Sequence, residues 1–336
     1  MNNNAYKKSG VDIEKGDLSS ASAYEQAMKT FSSREGMIAS PLKMEGAFAG
    51  ALDFGSFHLV QATDGTGTKM KIAEKLGKFD TIGYDLLAMV CDDIVCTGAE
   101  TVSITNSIDI GKVDPVVTKE LLKGLSKACQ EQKVIISGGE IAEVGNTVNS
   151  IVWNASGVGI LEKDKFLLNK KITPGDAIIT LREEGFRSNG FSLVRKVLRE
   201  NLGKNWVNKN NWGERVLKPS QIYSSVLLEI LGRYGEKPRA KIKGIAHITG
   251  GGIQNNLSRI LPNNLKAEFY DLFDPPEMMQ EIQEMGKISD KDMQLTFNMG
   301  NGMMIICTQK DSNEIISSLK NNKVDAKICG NVVSKS

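Results

Sequence analysis

Asp64-Gly65-Thr66-Gly67-Thr68-Lys69 falls where an apolar, β-branched run gives way to helical spacing. Gly65 and Gly67 let the backbone approach a ligand closely, and amide N–H groups at a helix start favour phosphate. Asp64 offers a hard oxygen to magnesium, Thr68 a hydroxyl, and Lys69 a cation for phosphate. The spacing is neither that of a Walker A loop nor that of a Rossmann fingerprint. A tight strand-to-helix turn with a capping Asp would use the same residues. Asp92-Asp93 stands inside an apolar stretch, Leu86 to Val95. Carboxylates on a buried helix are costly unless paired or metal-bound, and Asp85, seven residues earlier, shares a face with Asp92. Gly138-Gly139-Glu140-Ile141-Ala142-Glu143 follows what reads as a short buried strand. With Asp64 and Asp93, Glu140 supplies the oxygen-rich set that a magnesium-complexed nucleotide requires.

The second half carries three more such places. Arg187-Ser188-Asn189-Gly190 opens a helix, where Ser and Asn are ordinary caps and also groups that line a phosphate or ribose pocket. His247-Ile248-Thr249-Gly250-Gly251-Gly252 joins a strand to a helix, and three glycines before a helix start suit an anion such as a sugar phosphate. His247 is one of two histidines; on a strand it is either a satisfied core residue or a catalytic group. Asn298, in Phe297-Asn298-Met299-Gly300, precedes a strand and reads as a turn or a substrate contact.

The elements that must position these residues follow from period and punctuation. Strands are predicted at 57–63, 100–110, 134–136, 151–161, 177–181, 245–248, 266–270, 303–308 and 325–332. Helices are predicted at 22–30, at 68–76 ending on Gly77, and at 85–97 with Asp85 as its N-cap and Gly98 as its stop. Others follow at 115–133, 188–200, 219–234 with Pro219 in the first turn, 253–261, before Leu295, and at 312–321. A polar stretch over 162–175 ending in Thr-Pro-Gly-Asp marks a domain boundary. Residues 1–55 form an arm, 56–168 an N-terminal domain and 169–336 a C-terminal domain. Strands alternate with helices in both, so the fold class is α/β or α+β.

Composition sets the outer limits. The 336 residues suit two domains at about 150 each. A formal net charge of +2 gives no support to a nucleic-acid or membrane-surface role, and the short basic spot around Lys170 and Lys171 reads as a solvated loop. No run reaches the ~18 apolar residues of a membrane span, and the start of the chain lacks an apolar core, so a cytoplasmic location is expected. Five cysteines without a CxxC pair point away from disulfides and zinc, and Cys91, Cys96 and Cys307 read as reduced core residues.

Taken in order, the motifs YKKSGVDI, TDGTGTK, DTIGYDLLAM followed by TGAE, SGGEIAE, SNGFSLVRKVL, PSQIY, AHITGGG and TFNMGNGM resemble the aminoimidazole ribonucleotide synthetase (phosphoribosylformylglycinamidine cyclo-ligase) family, from about Tyr6 to about Gly330. The resemblance implies a homodimer whose N-terminal mixed sheets join into a barrel, with ATP near that interface and a C-terminal domain whose sheet is covered by helices. It implies ATP-dependent ring closure of formylglycinamidine ribonucleotide through a phosphorylated amide. Asp64, Asp93 and Glu140 would serve Mg2+ and ATP, with Asp85, Gly138 and Gly139 beside the nucleotide and Lys69 on phosphate. Ser188, Asn189, Gly190, Thr249, Gly250, Gly251, Gly252 and Asn298 would serve the ribonucleotide, with His247 catalytic. The chain departs from the family pattern with Arg187 for a usual His, Asp92 for Asn, Asn106 for an acid, and Val144-Gly145-Asn146 for Met-Pro-Gly. The alternatives are another ATP-binding enzyme on the same scaffold, or a non-catalytic ATP-binding assembly protein.

Overall fold

The computed structural model describes residues 9–10, 12–44, 46–169 and 171–335. Tyr6-Lys7-Lys8 of the first motif and Lys170 of the basic spot lie outside the described residues. The first half runs α1 (Ile13–Phe31), β1 (Ser40–Pro41), β2 (Gly50–Asp53), β3 (Phe57–Gly65), α2 (Met70–Leu76), α3 (Ile82–Val95), β4 (Glu100–Ile110), α4 (Pro115–Gln132), β5 (Ile135–Glu143) and β6 (Val152–Glu162). The second runs β7 (Ala177–Arg182), α5 (Phe191–Leu202), α6 (Trp212–Val216), α7 (Ser224–Leu231), β8 (Ile242–His247), α8 (Gly252–Ser258), β9 (Leu265–Phe269), α9 (Glu277–Gly286), α10 (Asp290–Thr296), β10 (Asn301–Cys307), α11 (Gln309–Asn321) and β11 (Ala326–Ser334).

The first sheet has the order β1-β2-β3-β6-β4-β5 and is mixed, because β4 and β5 run parallel while its other pairs are antiparallel. α3 and α4 pack over it, and α3 is buried along nearly its whole length. The second sheet, β8-β10-β7-β11-β9, is antiparallel throughout, so this half is α+β rather than a parallel α/β unit. β7, β8 and β10 are buried almost entirely on both faces, which explains their continuous apolar runs. All five cysteines are free and buried in the core.

Four local expectations are corrected. The N-terminal helix is longer than 22–30, because Asp12 caps it and its side chain accepts from the Lys15 amide. Asp85 is not an N-cap: α3 starts at Ile82, and Asp85 points inward, fully buried. The helix expected over 219–234 is only Ser224–Leu231, because the amides of Ser220, Gln221, Tyr223 and Ser224 donate to carboxylates elsewhere in the molecule. The strand expected over 134–136 continues to Glu143, and it is exposed, not buried. Gly138 and Gly139 lie within it, paired with Thr105 and Asn106 of β4.

Candidate functional site

The site lies where the end of β3, the helix α3 and two turns of the C-terminal half meet. β3 delivers Asp64 and Gly65; the Gly65 amide donates to Asp64 Oδ1 at 2.6 Å. The chain then turns through Gly67, at φ 53°, into a short 3-10 segment before α2. This turn faces the second half: a Cβ built on Gly67 would lie 3.4 Å from the Ser188 carbonyl oxygen, and Thr68 Oγ1 is 3.5 Å from Ser192 Oγ. A Cβ on Gly250 would lie 3.3 Å from Asn189 Oδ1. The Ser188-Asn189-Gly190 turn is therefore sandwiched between the Asp64–Lys69 turn and the triple-glycine turn, three motifs that the sequence places 60 or more positions apart. Ser188 Oγ and Asn189 Nδ2 are buried and find no hydrogen-bond partner among the described residues. Buried polar atoms without partners are costly, and here both sit at the junction of the turns.

α3 brings Asp93 to the same place. Its Oδ1 lies 2.7 Å from His247 Nδ1, at the end of β8. Burial holds the imidazole well below its usual pKa, so the ring is neutral; against an ionised Asp93 it donates from Nδ1, which leaves a lone pair on Nε2. Nε2 is buried and has no partner among the described residues. Burial also pushes the Asp93 carboxyl up to about 7. Asp64 is pushed up to about 6 by burial and then by the neighbouring charge of Asp93. Two neighbouring carboxylates that burial raises, with no Lys or Arg among the described residues bonded to either, form a place for a positive charge.

Other predicted residues have structural partners. Lys69 is fully buried; its ammonium donates to Asp85 Oδ1 at 2.7 Å and to the Lys218 carbonyl at 2.6 Å. Asp85 also accepts from the Ser220 amide at 2.9 Å. The side chain of Asn298 bridges Gly185 and Gly300. Thr249, Gly250 and Gly252 have their carbonyls gathered by the Asn256 amide, which fixes the triple-glycine turn ahead of the seven-residue α8. Gly252 is obligatory there, since it has φ 71° and a Cβ would fall 1.7 Å from the Gln294 carbonyl oxygen.

Glu140 does not join Asp64 within this chain. Gly65 pairs with Asn154, Asn154 with Ser107, and Ser107 with Glu140, so three strand spacings of about 4.8 Å separate them. Gly138 and Gly139 lie equally far away on that strand. Asn106 is buried and accepts from the Trp153 indole at 3.0 Å.

Three residues of the site carried no sequence signal. Arg259 donates to the Gly46 and Ala47 carbonyls and stacks on Phe48, 3.8 Å from the ring centroid, while its charge restrains the rise of the Asp93 pKa. A cavity of about 350 Å3 opens beside it, lined by Lys43, Met44, Cys96 and Lys243 among others. Glu183 and Asn256 had no motif to mark them. Two departures from the family pattern, Arg187 and Asp92, meet in one buried ion pair of 2.6 Å.

Comparison with known proteins shows the family of the chain. Residues 46–161 match the family of AIR synthase related protein, N-terminal domain, and residues 173–336 its C-terminal domain. A phosphoribosylformylglycinamidine cyclo-ligase of Pyrococcus furiosus is 36% identical over 318 residues, covering 94% of this chain and 91% of the relative. Enzymes of the same name from Methanocaldococcus jannaschii and Bacillus cereus strain Q1 are 34% and 36% identical, covering 98% of this chain and 92% and 96% of theirs. Among solved structures, E. coli HypE superposes with a TM-score of 0.60 at 15% identity, covering 83% of this chain and 80% of that one. Thermotoga maritima PurL complexed with AMPPCP superposes at 0.54 and 13% identity, covering 83% and 40%. No helix among the described residues is long and apolar enough to cross a membrane. With two domain matches and full-length relatives at this identity, the chain belongs to the AIR synthase related protein family, alongside the phosphoribosylformylglycinamidine cyclo-ligases.

Proposed function

We propose that this chain is an ATP-dependent cyclo-ligase that converts formylglycinamidine ribonucleotide to aminoimidazole ribonucleotide, ADP and phosphate. The observation that carries the reading is about one-third identity to cyclo-ligases over nearly the whole chain. The convergence of the three turns on Asp64, Asp93 and His247 supports it. Residues 56–168 would hold ATP and 169–336 the ribonucleotide. Asp64 and Asp93 would share Mg2+ with the nucleotide's phosphates, a usual arrangement for this ion. Their raised pKa values fit a site that awaits a cation. Among the described residues no group of three His, Cys, Asp or Glu side chains could hold a metal, so the phosphates would complete the coordination.

In this reading the formyl oxygen attacks the γ-phosphorus and ADP leaves. The amidine nitrogen then attacks the activated carbon and loses a proton, the C–O bond to phosphate breaks, and the ring closes. The protein's contribution is orientation and charge neutralisation. His247 Nε2, a buried lone pair beside Asp93, is the group we assign to receive the proton. The unpartnered Ser188 Oγ and Asn189 Nδ2 would bind the ribose phosphate. The purified protein is expected to release phosphate from Mg–ATP only when formylglycinamidine ribonucleotide is present, with one ring-closed product per phosphate. Substrate-independent phosphate release without that product would end the cyclase reading.

A homodimer is part of the same proposal. β5 is the edge of the mixed sheet, with Ile135 64% and Ile141 42% exposed along it. A long apolar edge is a template for pairing with another strand, and pairing two copies would close the sheets into the barrel that the resemblance implies. Glu140 sits on this strand and would lie at that interface. Replacing Ile135 and Ile141 by Lys is expected to turn a dimer into a monomer at micromolar concentration, read by light scattering after gel filtration. A mass unchanged from that of the parent would remove β5 from the interface.

A further inference from the structure

Arg187 precedes the Ser188-Asn189-Gly190 turn and is fully buried. It holds φ 55°, a left-handed conformation that costs a non-glycine residue about 1 kcal/mol or more. Such strain persists only where surrounding contacts over-determine it, and here the side chain provides them. One terminal nitrogen donates to Asp92 Oδ2 on α3 at 2.6 Å. The other donates to Glu183 Oε2 at 3.0 Å and to the Gln221 carbonyl at 2.8 Å. The guanidinium lies 5.3 Å from the Tyr223 ring centroid. Asp92 extends the grip: its second oxygen accepts from the amides of Tyr223 and Ser224, both at 3.0 Å, at the start of α7. Two helical turns earlier, Asp85 holds Ser220, while Lys69 holds the Lys218 carbonyl. Residues 218–224 of the C-terminal half are thus fastened along one face of α3, and Arg187 is the cation at the centre of that seam.

The next residue on α3 after Asp92 is Asp93, which faces His247; the next two after Arg187 are Ser188 and Asn189, which touch the Gly67 and Gly250 turns. We propose that Arg187 is a positioning residue. By binding Asp92 and Glu183 at once, it fixes the Ser188-Asn189-Gly190 turn against the wall that carries Asp64 and Asp93. Substrate and nucleotide then meet at reacting distance. The proposal rests on the cyclo-ligase reading above. A planar two-armed guanidinium is required, because an ammonium supplies one point charge and cannot span both carboxylates in the same geometry. A role confined to stability would not distinguish turnover from nucleotide binding; a positioning role does, since a displacement near 1 Å can cost about 100-fold in rate.

The test compares the full-length parent with Arg187→Lys. Four quantities are measured: thermal unfolding, Mg–ATP affinity by calorimetry, kcat and KM for formylglycinamidine ribonucleotide, and the ratio of phosphate released to ring-closed product. The folded variant is expected to bind Mg–ATP within about threefold of the parent, to lose about tenfold or more in kcat, and to release more phosphate than product. A folded variant with parental kcat and a ratio of one overturns the proposal. If Arg187→Lys does not fold, Glu183→Gln, which keeps a neutral acceptor for the guanidinium, is measured in the same way. A folded Glu183→Gln protein with parental kcat and ratio overturns it equally, and a lowered kcat with excess phosphate supports it. A parent that makes no product sinks the cyclo-ligase reading and this proposal with it; a competent parent beside indifferent variants sinks the proposal alone.

Discussion

Asp64→Asn is expected to weaken Mg–ATP binding by about 100-fold while making the metal-free protein more stable at pH 7.5. Both effects come from one cause. Burial and the charge of Asp93 raise the Asp64 pKa from 3.8 to about 6. The unfolded chain ionises this group near its ordinary value, and the folded protein resists until about pH 6. Stability is therefore unaffected by Asp64 below about pH 4, falls as the pH rises from there to about 6, and stays lowered above it. At about 1.4 kcal/mol per unit the penalty is at most about 3 kcal/mol, and roughly 1 kcal/mol after discounting for the partial exposure of the group. Asn removes the charge and keeps an oxygen to accept the Gly65 amide. Urea titrations without metal should show the variant more stable at pH 7.5, with the difference shrinking as the pH falls and vanishing below about pH 4. Calorimetry with Mg–ATP should show the affinity loss. Unchanged nucleotide affinity would take the metal role from Asp64. A variant less stable than its parent at pH 7.5 would mean that the carboxylate is already satisfied by the fold. A site that holds like charges together for a cation it binds only transiently is expected to be destabilising by itself.

Lys69→Met is expected to act in the opposite sense, destabilising the protein by about 3–5 kcal/mol. Lys69 and Asp85 are both fully buried, 2.7 Å apart. Burial pulls the ammonium below its ordinary pKa, and Asp85 opposes that fall. Removing the cation leaves Asp85 buried with the Ser220 donors alone, and the Lys218 carbonyl loses its donor. Lys78 and Glu214 form the control: their ion pair has side chains 39% and 52% exposed, and Lys78→Ala should cost less than about 1 kcal/mol. Urea denaturation of the three proteins decides the matter, and a Lys69→Met protein within 1 kcal/mol of its parent would show that the seam contributes little. If nucleotide affinity in the folded variant falls no more than stability requires, Lys69 belongs to the seam between the halves and not to the phosphate site.

The local elements were legible because their signals are local. The period of the apolar residues marks β3, β4, β6 and α4, and Gly77 ends α2 at φ 63°, as a left-handed cap should. The eight ordered motifs identify the family. The Asp85–Asp92 spacing correctly places the two on one face of a helix. What that face meets was not legible: the PSQIY segment reads as a helix start, yet its amides are drawn to carboxylates about 130 positions away in the chain. The same holds for β5, whose strand reads as ending at Ile136 ahead of two glycines, while parallel pairing with β4 keeps the chain extended to Glu143.

The sequence by itself determined the element types, the family, and which residues have the chemistry to handle a phosphate ester, since period, turn residues and functional groups are properties of neighbouring positions. Only the tertiary structure decided which of them act together. It joined Asp64, Asp93 and His247 to the Ser188 and Gly250 turns. It occupied Lys69, Asp85 and Asp92 in fastening one half to the other, and it left Glu140 on a distant exposed edge. The reason is physical. A buried charge must find its partner wherever the packing brings one, and no spacing along the chain records where that will be.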